Sequence, residues 1–192
     1  MYAVLAEDES DASSIASIIR LIKNDTRIPV WKKGFGGSGE LLKNGYAQIK
    51  AYNKAKNCDQ FIICYDSDGD DPDARKNQII ERIIKPSGVA ANYCALVPVQ
   101  ELEAWFLSDL NAVKKIFRNL ELNPEYPQPE SLVDPKEILR HRLKGLKPVP
   151  RYVNGIHNPQ IASALDVSVV LRKCRSFSPL FELVMHGRGN VH

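Results

Sequence analysis

Phe61-Ile62-Ile63-Cys64-Tyr65-Asp66-Ser67-Asp68-Gly69-Asp70-Asp71 decides the fold. Five apolar residues read as a strand buried on both faces, the pattern of a parallel sheet. The run ends in four carboxylates within six residues. Such a concentration of charge is unfavourable unless a cation or water neutralises it. A divalent cation held at this strand end is therefore the expectation.

The neighbouring sequence repeats the arrangement. Tyr2–Ala6 reads as a first strand, with Glu7 at its carboxyl end. Ile15, Ile18, Ile19 and Ile22 then recur at helical spacing, and Ser10 or Asp11 suits the N-cap. Ile28–Lys33 reads as a short edge strand because of Pro29. A helix over 39–55 carries Leu41, Leu42, Ile49 and Tyr52 inward, with Ser38 as its cap. Asp71-Pro72 opens the next helix, which buries Ile79, Ile80, Ile83 and Ile84. A strand over 92–97 follows. Strand and helix in alternation predict an α/β protein, with a mostly parallel, Rossmann-like sheet flanked by helices. In such sheets sites form beyond the carboxyl ends of the strands.

Glu101 and Glu103 follow the 92–97 strand at the head of an apolar helix and diverge there, so at most one is expected at the site. Asp109 or Ser108 suits the cap of a helix over 109–118, and Asp134-Pro135 opens another that ends near Gly145. Pro148, Pro150, Gly155 and Pro159 read as loops between short helices, with a last helix over 180–185. The organisation read from this is an α/β core over 1–122 and a helical, basic extension over 123–192 packed on it.

The chain has 192 residues and a net charge of +3. From Leu139 onward nine Lys/Arg face only Asp166 and Glu182, a net of +7, which leaves −4 for residues 1–138. An acidic site beside a basic C-terminal third suits a polyanion such as DNA or RNA. Arg140, Arg142, Lys144, Arg172, Lys173 and Arg175 are the candidate contacts. Four cysteines without CxxC spacing read as reduced core residues. No apolar run is long enough for a membrane, and the early acids do not suit a signal peptide, so a cytoplasmic protein is expected.

Rival motifs fit less well. An EF-hand loop starting at Asp66 needs Gly and Glu where Asp71 and Asn77 stand. A Walker A loop from Gly34 to Gly39 needs Lys-Ser/Thr where Glu40-Leu41 stand. Asp66-Ser67-Asp68-Gly69 matches the DxDG of aspartyl-nucleophile phosphatases, which normally follows a first strand. Asp70 and Asp71 also read as turn and cap residues. A Glu after one strand and a DxD after a later one forms a two-part carboxylate site suited to Mg²⁺.

Glu7 with Asp11 four residues on, and Asp66-x-Asp68, resemble the Toprim domain. More closely, Gly-Ser-Gly-Glu-Leu-Leu at 37–42, Val97-Pro98-Val99-Gln100-Glu101-Leu102-Glu103-Ala104-Trp105-Phe106-Leu107 and Arg175-Ser176-Phe177 resemble a Toprim-related family of unknown function. That family is often found near ABC/AAA-type ATPases. Where the Toprim pattern has Gly after its Glu, this chain has Asp8. The resemblance implies a Mg²⁺- or Mn²⁺-dependent nuclease, the effector of an ATPase-associated antiphage system, with homo-oligomers among its states. Asp66 and Asp68 would then hold the metal. Glu7 would act as general base or second-metal ligand, and Glu101 or Glu103 would complete a second site. A non-catalytic module that binds an ATPase or nucleic acid, and a small phosphatase-like hydrolase, are the alternatives.

Overall fold

The computed structural model describes residues 1–146, 152–187 and 189. Lys147, Pro148, Pro150, Arg151 and Arg188, part of the basic and proline readings above, lie outside the described residues. Among the described residues four five-residue strands form the sheet: β1 (Tyr2–Ala6), β2 (Val30–Gly34), β3 (Gln60–Cys64) and β4 (Asn92–Leu96). All pair in parallel, in the order β2-β1-β3-β4. The fold is thus α/β with a parallel, Rossmann-like sheet. Val30–Gly34 is an edge strand, as Pro29 suggested, and β1 lies beside β3 with Ala6 opposite Cys64.

Side chains alternate across the strands, so the sheet separates two cores. Val4, Ala6, Ile62, Cys64, Cys94 and Leu96 pack on one face, and Ala3, Leu5, Phe61, Ile63, Tyr93 and Ala95 on the other. The second face is covered by α2 (Ser38–Lys56) and α3 (Pro72–Ile79), which continues through a π turn over Ile80–Ile84 into the three-residue α4 (Lys85–Ser87). The first face is covered by α1 (Glu9–Lys23), α5 (Glu103–Ser108) and α6 (Leu110–Ile116). It also receives α7 (Pro135–Lys144), α8 (Asn154–Ala164), α9 (Val167–Lys173) and α10 (Ser178–His186). Apolar side chains from the C-terminal helices join the same core as β1 and α1. No helix among the described residues is long and apolar enough to cross a membrane.

Three local expectations are corrected. The N-cap of α1 is Asp8, whose Oδ1 accepts from Asp11 N at 2.9 Å; neither Ser10 nor Asp11 caps it. Gly37, without a side-chain bond, caps α2, so Ser38 begins the helix instead. Gly155 and Pro159 lie inside α8 rather than in loops. There the burial of Ile161 and Ala162 offsets the amide hydrogen bond a proline lacks. Asp71 caps α3 through Asp73 N, as its sequence suggested. All four cysteines are buried and unpaired, and burial pushes the Cys94 thiol up to about 12.

Candidate functional site

The carboxyl ends of β1 and β3 stand side by side, so the residues just beyond them meet. Glu7 Oε1 accepts a hydrogen bond from Asp66 N at 3.2 Å. The Glu7 carbonyl accepts from Phe35 N at 3.2 Å and Gly37 N at 2.9 Å, which ties the loop after β2 to the same place. That loop passes close to α1: a Cβ on Gly34 would lie 2.3 Å from Glu9 N, so only glycine fits.

The loop after β3 is fixed from the opposite side. Ser67 is fully buried, donates its N–H to Pro98 O at 3.1 Å and its hydroxyl to Val99 O. Asp68 adopts the left-handed region at φ 50 and is exposed, with Gly69 at φ 83 completing the turn. Arg75 donates to Asp70 and to the Tyr65 hydroxyl, and its guanidinium lies 4.4 Å from the Tyr65 ring centre. Tyr65 therefore faces the other core, away from Asp66.

Two further carboxylates act electrostatically on Asp66. Asp11, in the first turn of α1, is buried, and so is Glu103 at the start of α5. Glu103 Oε1 accepts from Asn158 Nδ2 at 3.0 Å, and Asn158 Oδ1 accepts from the Tyr152 hydroxyl. Lys136 on α7 is drawn to the same group, while its backbone N–H donates to Glu101 Oε2 at 3.0 Å.

The electrostatics follow from this crowding. Burial, then Asp11, Glu103, Glu7 and Asp68, push the Asp66 carboxyl well above its usual range. Burial, then Asp8 and Glu103, do the same to Asp11, with Lys136 opposing. Glu7 is raised by burial and by Asp68, and pulled back by the Asp66 N–H and Arg75. Burial raises Glu103 against the pull of Lys136 and Asn158. For Lys136 burial acts downward, yet Glu103, Glu101, Asp11 and Asp8 outweigh it and hold the ammonium above its usual value.

Asp66 is partly exposed as a residue, but its Oδ1 is buried and has no hydrogen-bond partner among the described residues. An unpartnered buried carboxylate oxygen among like charges is costly. The donors around it are carboxylate oxygens, the type that Mg²⁺ and Mn²⁺ prefer. This donor chemistry fits a hard divalent cation. Among the described residues no three His, Cys, Asp or Glu side chains are already gathered as a coordination shell.

The predicted basic contacts are dispersed. The Arg142 guanidinium is committed to the carbonyls of Pro124 (2.8 Å), Asn123 (3.1 Å) and Glu121. Arg140 pairs with Glu137, and Lys173 donates to Ser108 O at 2.9 Å. Lys144, Arg172 and Arg175 are exposed. Asp11, Lys136, Asn158 and Tyr152 were not among the predicted site residues. Asp11 suits both an N-cap and, four residues after Glu7, the Toprim likeness; Lys136 gives no local signal.

Comparison with known proteins adds a family without an activity. A family described as "Domain of unknown function (DUF4276)" matches residues 7–184. No curated protein and no solved structure matches.

Proposed function

The chain belongs to that family of unknown function, and we propose that it is a metal-dependent phosphodiester hydrolase acting on nucleic acid. One observation carries this reading: the buried, unpartnered Oδ1 of Asp66 among Glu7, Asp11 and Glu103. The likeness of Glu7, Asp66-x-Asp68 and the 97–107 segment to Toprim proteins supports it. An ABC/AAA-type ATPase partner and a role in antiphage defence rest on that likeness alone.

Asp66 and Asp68 would hold Mg²⁺ or Mn²⁺, with Glu103 or Glu101 beside them. When bound, such a metal neutralises charge on the scissile phosphate and lowers the pKa of a bound water. The chain's own residues supply the rest. Asp66 N fixes Glu7 Oε1, so Oε2 is the oxygen that would take a proton from water. The raised pKa of Glu7 moves it toward the neutral range where a general base works best. Lys136 balances the carboxylates from the α7 side and is positioned by the Glu101 bond.

A second reading is a non-catalytic module whose acidic pocket is neutralised internally. The pull of Glu103, Glu101, Asp11 and Asp8 on the Lys136 ammonium, which holds it above its usual value, favours it. Incubation of the purified protein with DNA, RNA and tRNA, with Mn²⁺, Mg²⁺ or chelator, separates the two. Metal-dependent cleavage that disappears in Glu7→Gln and Asp66→Asn proteins is expected. Cleavage that survives both substitutions would overturn the site assignment. Turnover of a small phosphate ester with an acyl-phosphate trapped on Asp66 would assign the chain to the phosphatase-like class instead.

A further inference from the structure

We infer that the β2–α2 side of the molecule, around Trp31, Phe35 and Tyr52 with Lys33 and Lys56, is a stacking platform for single-stranded nucleic acid. It would deliver the strand to Glu7 and Asp66. The inference deepens the hydrolase reading, because it rests on nucleic acid as the substrate.

Trp31 sits on the edge strand and is 36% exposed, whereas the other tryptophan, Trp105, is fully buried. The exposed indole is held in place. Its ring centre lies 6.2 Å from that of Tyr52, whose hydroxyl donates to Lys32 O at 2.8 Å. Lys56 Nζ stands 4.1 Å from the Trp31 ring centre, and Lys33 Nζ 5.8 Å from that of Phe35. Both ammonium groups lie over their rings, and Phe35 and Tyr52 are partly buried against the core, so Trp31 is the exposed member of the group. An exposed indole with cations set close by suits an unpaired base and its adjoining phosphates.

The local charge is complementary to a polyanion. Between Val30 and Lys56 there are six lysines and one acid, Glu40, for a net of +5. Lys32 is paired with Glu9; Lys33 and Lys56 have no carboxylate partner among the described residues. The platform also leads to the acidic site. Phe35 N donates to both Ala6 O and Glu7 O at 3.2 Å, so the aromatic row ends at the catalytic candidate. Trp31 to Phe35 is about 13 Å of extended chain.

The backbone of β2 favours side-chain recognition over strand addition. Lys32 O is taken by Tyr52 and Gly34 N by Glu9, which blunts the free edge. By contrast Arg140, Arg142 and Lys173 of the basic third are engaged inside the chain.

The test is a fluorescence titration of the full chain with oligothymidylate and oligouridylate in chelator, where no metal-dependent cleavage proceeds. Buried Trp105 serves as the silent reference. Quenching is expected, and Trp31→Phe should abolish most of it while affinity stays within about threefold. Trp31→Ala and Lys56→Gln should each weaken binding roughly tenfold, in line with loss of one stacked base or one phosphate contact. Circular dichroism checks that each variant folds. Unchanged affinity in both variants overturns the platform, as does equal competition by duplex DNA or polyglutamate, or the absence of binding. Quenching without any cleavage in Mn²⁺ would instead sink the hydrolase reading and leave the platform standing.

Discussion

Glu7 Oε1 and the backbone N–H of Asp66 are joined by a 3.2 Å hydrogen bond across 59 sequence positions. The bond places the two acids at the ends of adjacent parallel strands, and it separates the charge of Glu7 from its geometry. Glu7→Gln keeps the acceptor oxygen and removes one like charge from the cluster. Its melting temperature should equal or exceed that of the parent. Glu7→Ala leaves the Asp66 N–H without its partner, at a cost of about 1 kcal/mol. For a chain of this size that is roughly 2–4 °C in a thermal melt. Since Asp66 and Asp68 would hold the metal and Glu7 would take the proton, both variants should keep the stabilisation that Mn²⁺ gives the parent. A melting shift by Mn²⁺ lost in Glu7→Gln would move Glu7 into the metal set.

The raised carboxyls make stability depend on pH in a defined direction. Asp66, Asp11, Glu7 and Glu103 all hold protons more tightly folded than unfolded. The folded state therefore binds more protons than the unfolded one between the ordinary carboxylate range near 4 and the raised folded values. Stability from these groups is full below that range and falls as pH rises through the folded pKa values. Asp8 and Asp68 add to the repulsion; Lys136 and Arg75 oppose it. Without divalent metal the protein should melt higher at pH 5.5 than at pH 8, and Mn²⁺ should narrow the gap by raising the pH 8 value. Equal melting at both pH values without metal would contradict the crowded arrangement.

Lys136 is the cation that the cluster draws on from α7. Lys136→Met should destabilise the protein at pH 8 by roughly 1–2 kcal/mol, less than for a fully buried pair because the amine is partly solvated. The loss should shrink at pH 5.5, where protonated carboxyls need no partner. A denaturant titration at the two pH values reads this directly. Equal losses at both would make Lys136 a packing residue.

The sequence made the sheet readable because parallel strands buried on both faces are continuous apolar runs, and because turn acids stop them abruptly. It made Glu7 and Asp66 readable because each directly follows such a run. The cap of α1 was not readable: Asp8, Ser10 and Asp11 all suit an N-cap, and it is Asp8 whose side chain accepts from Asp11 N in the folded chain. Asp11, which shares the Toprim likeness with Glu7, is buried, and Asp8, Glu103 and Glu7 act on its carboxyl. Lys136 lies 129 positions from Glu7 on an otherwise ordinary amphipathic helix, so no local pattern could join them. The same holds for Arg142, which looks like a surface cation but clamps the 121–124 carbonyls.

Trp105 ties the 97–107 segment to the Arg175–Phe177 segment. Its indole N–H donates to Ser176 Oγ at 2.9 Å, and its ring meets Phe177 edge-on with centres 5.0 Å apart. The Glu130 carboxylate accepts from Arg175 N at 2.8 Å and Ser176 N at 3.0 Å. These stretches, distant in sequence, thus form one structural joint on the α5 side of the sheet. Phe177→Ala should cost about 3–5 kcal/mol, since the ring is fully buried. Glu130→Ala strands two backbone donors and should cost about 2 kcal/mol. Arg175→Ala removes only an exposed side chain and should stay within about 0.5 kcal/mol. Urea unfolding ranks the three. If Arg175→Ala is instead the most damaging, that side chain holds the joint and the Glu130 account fails.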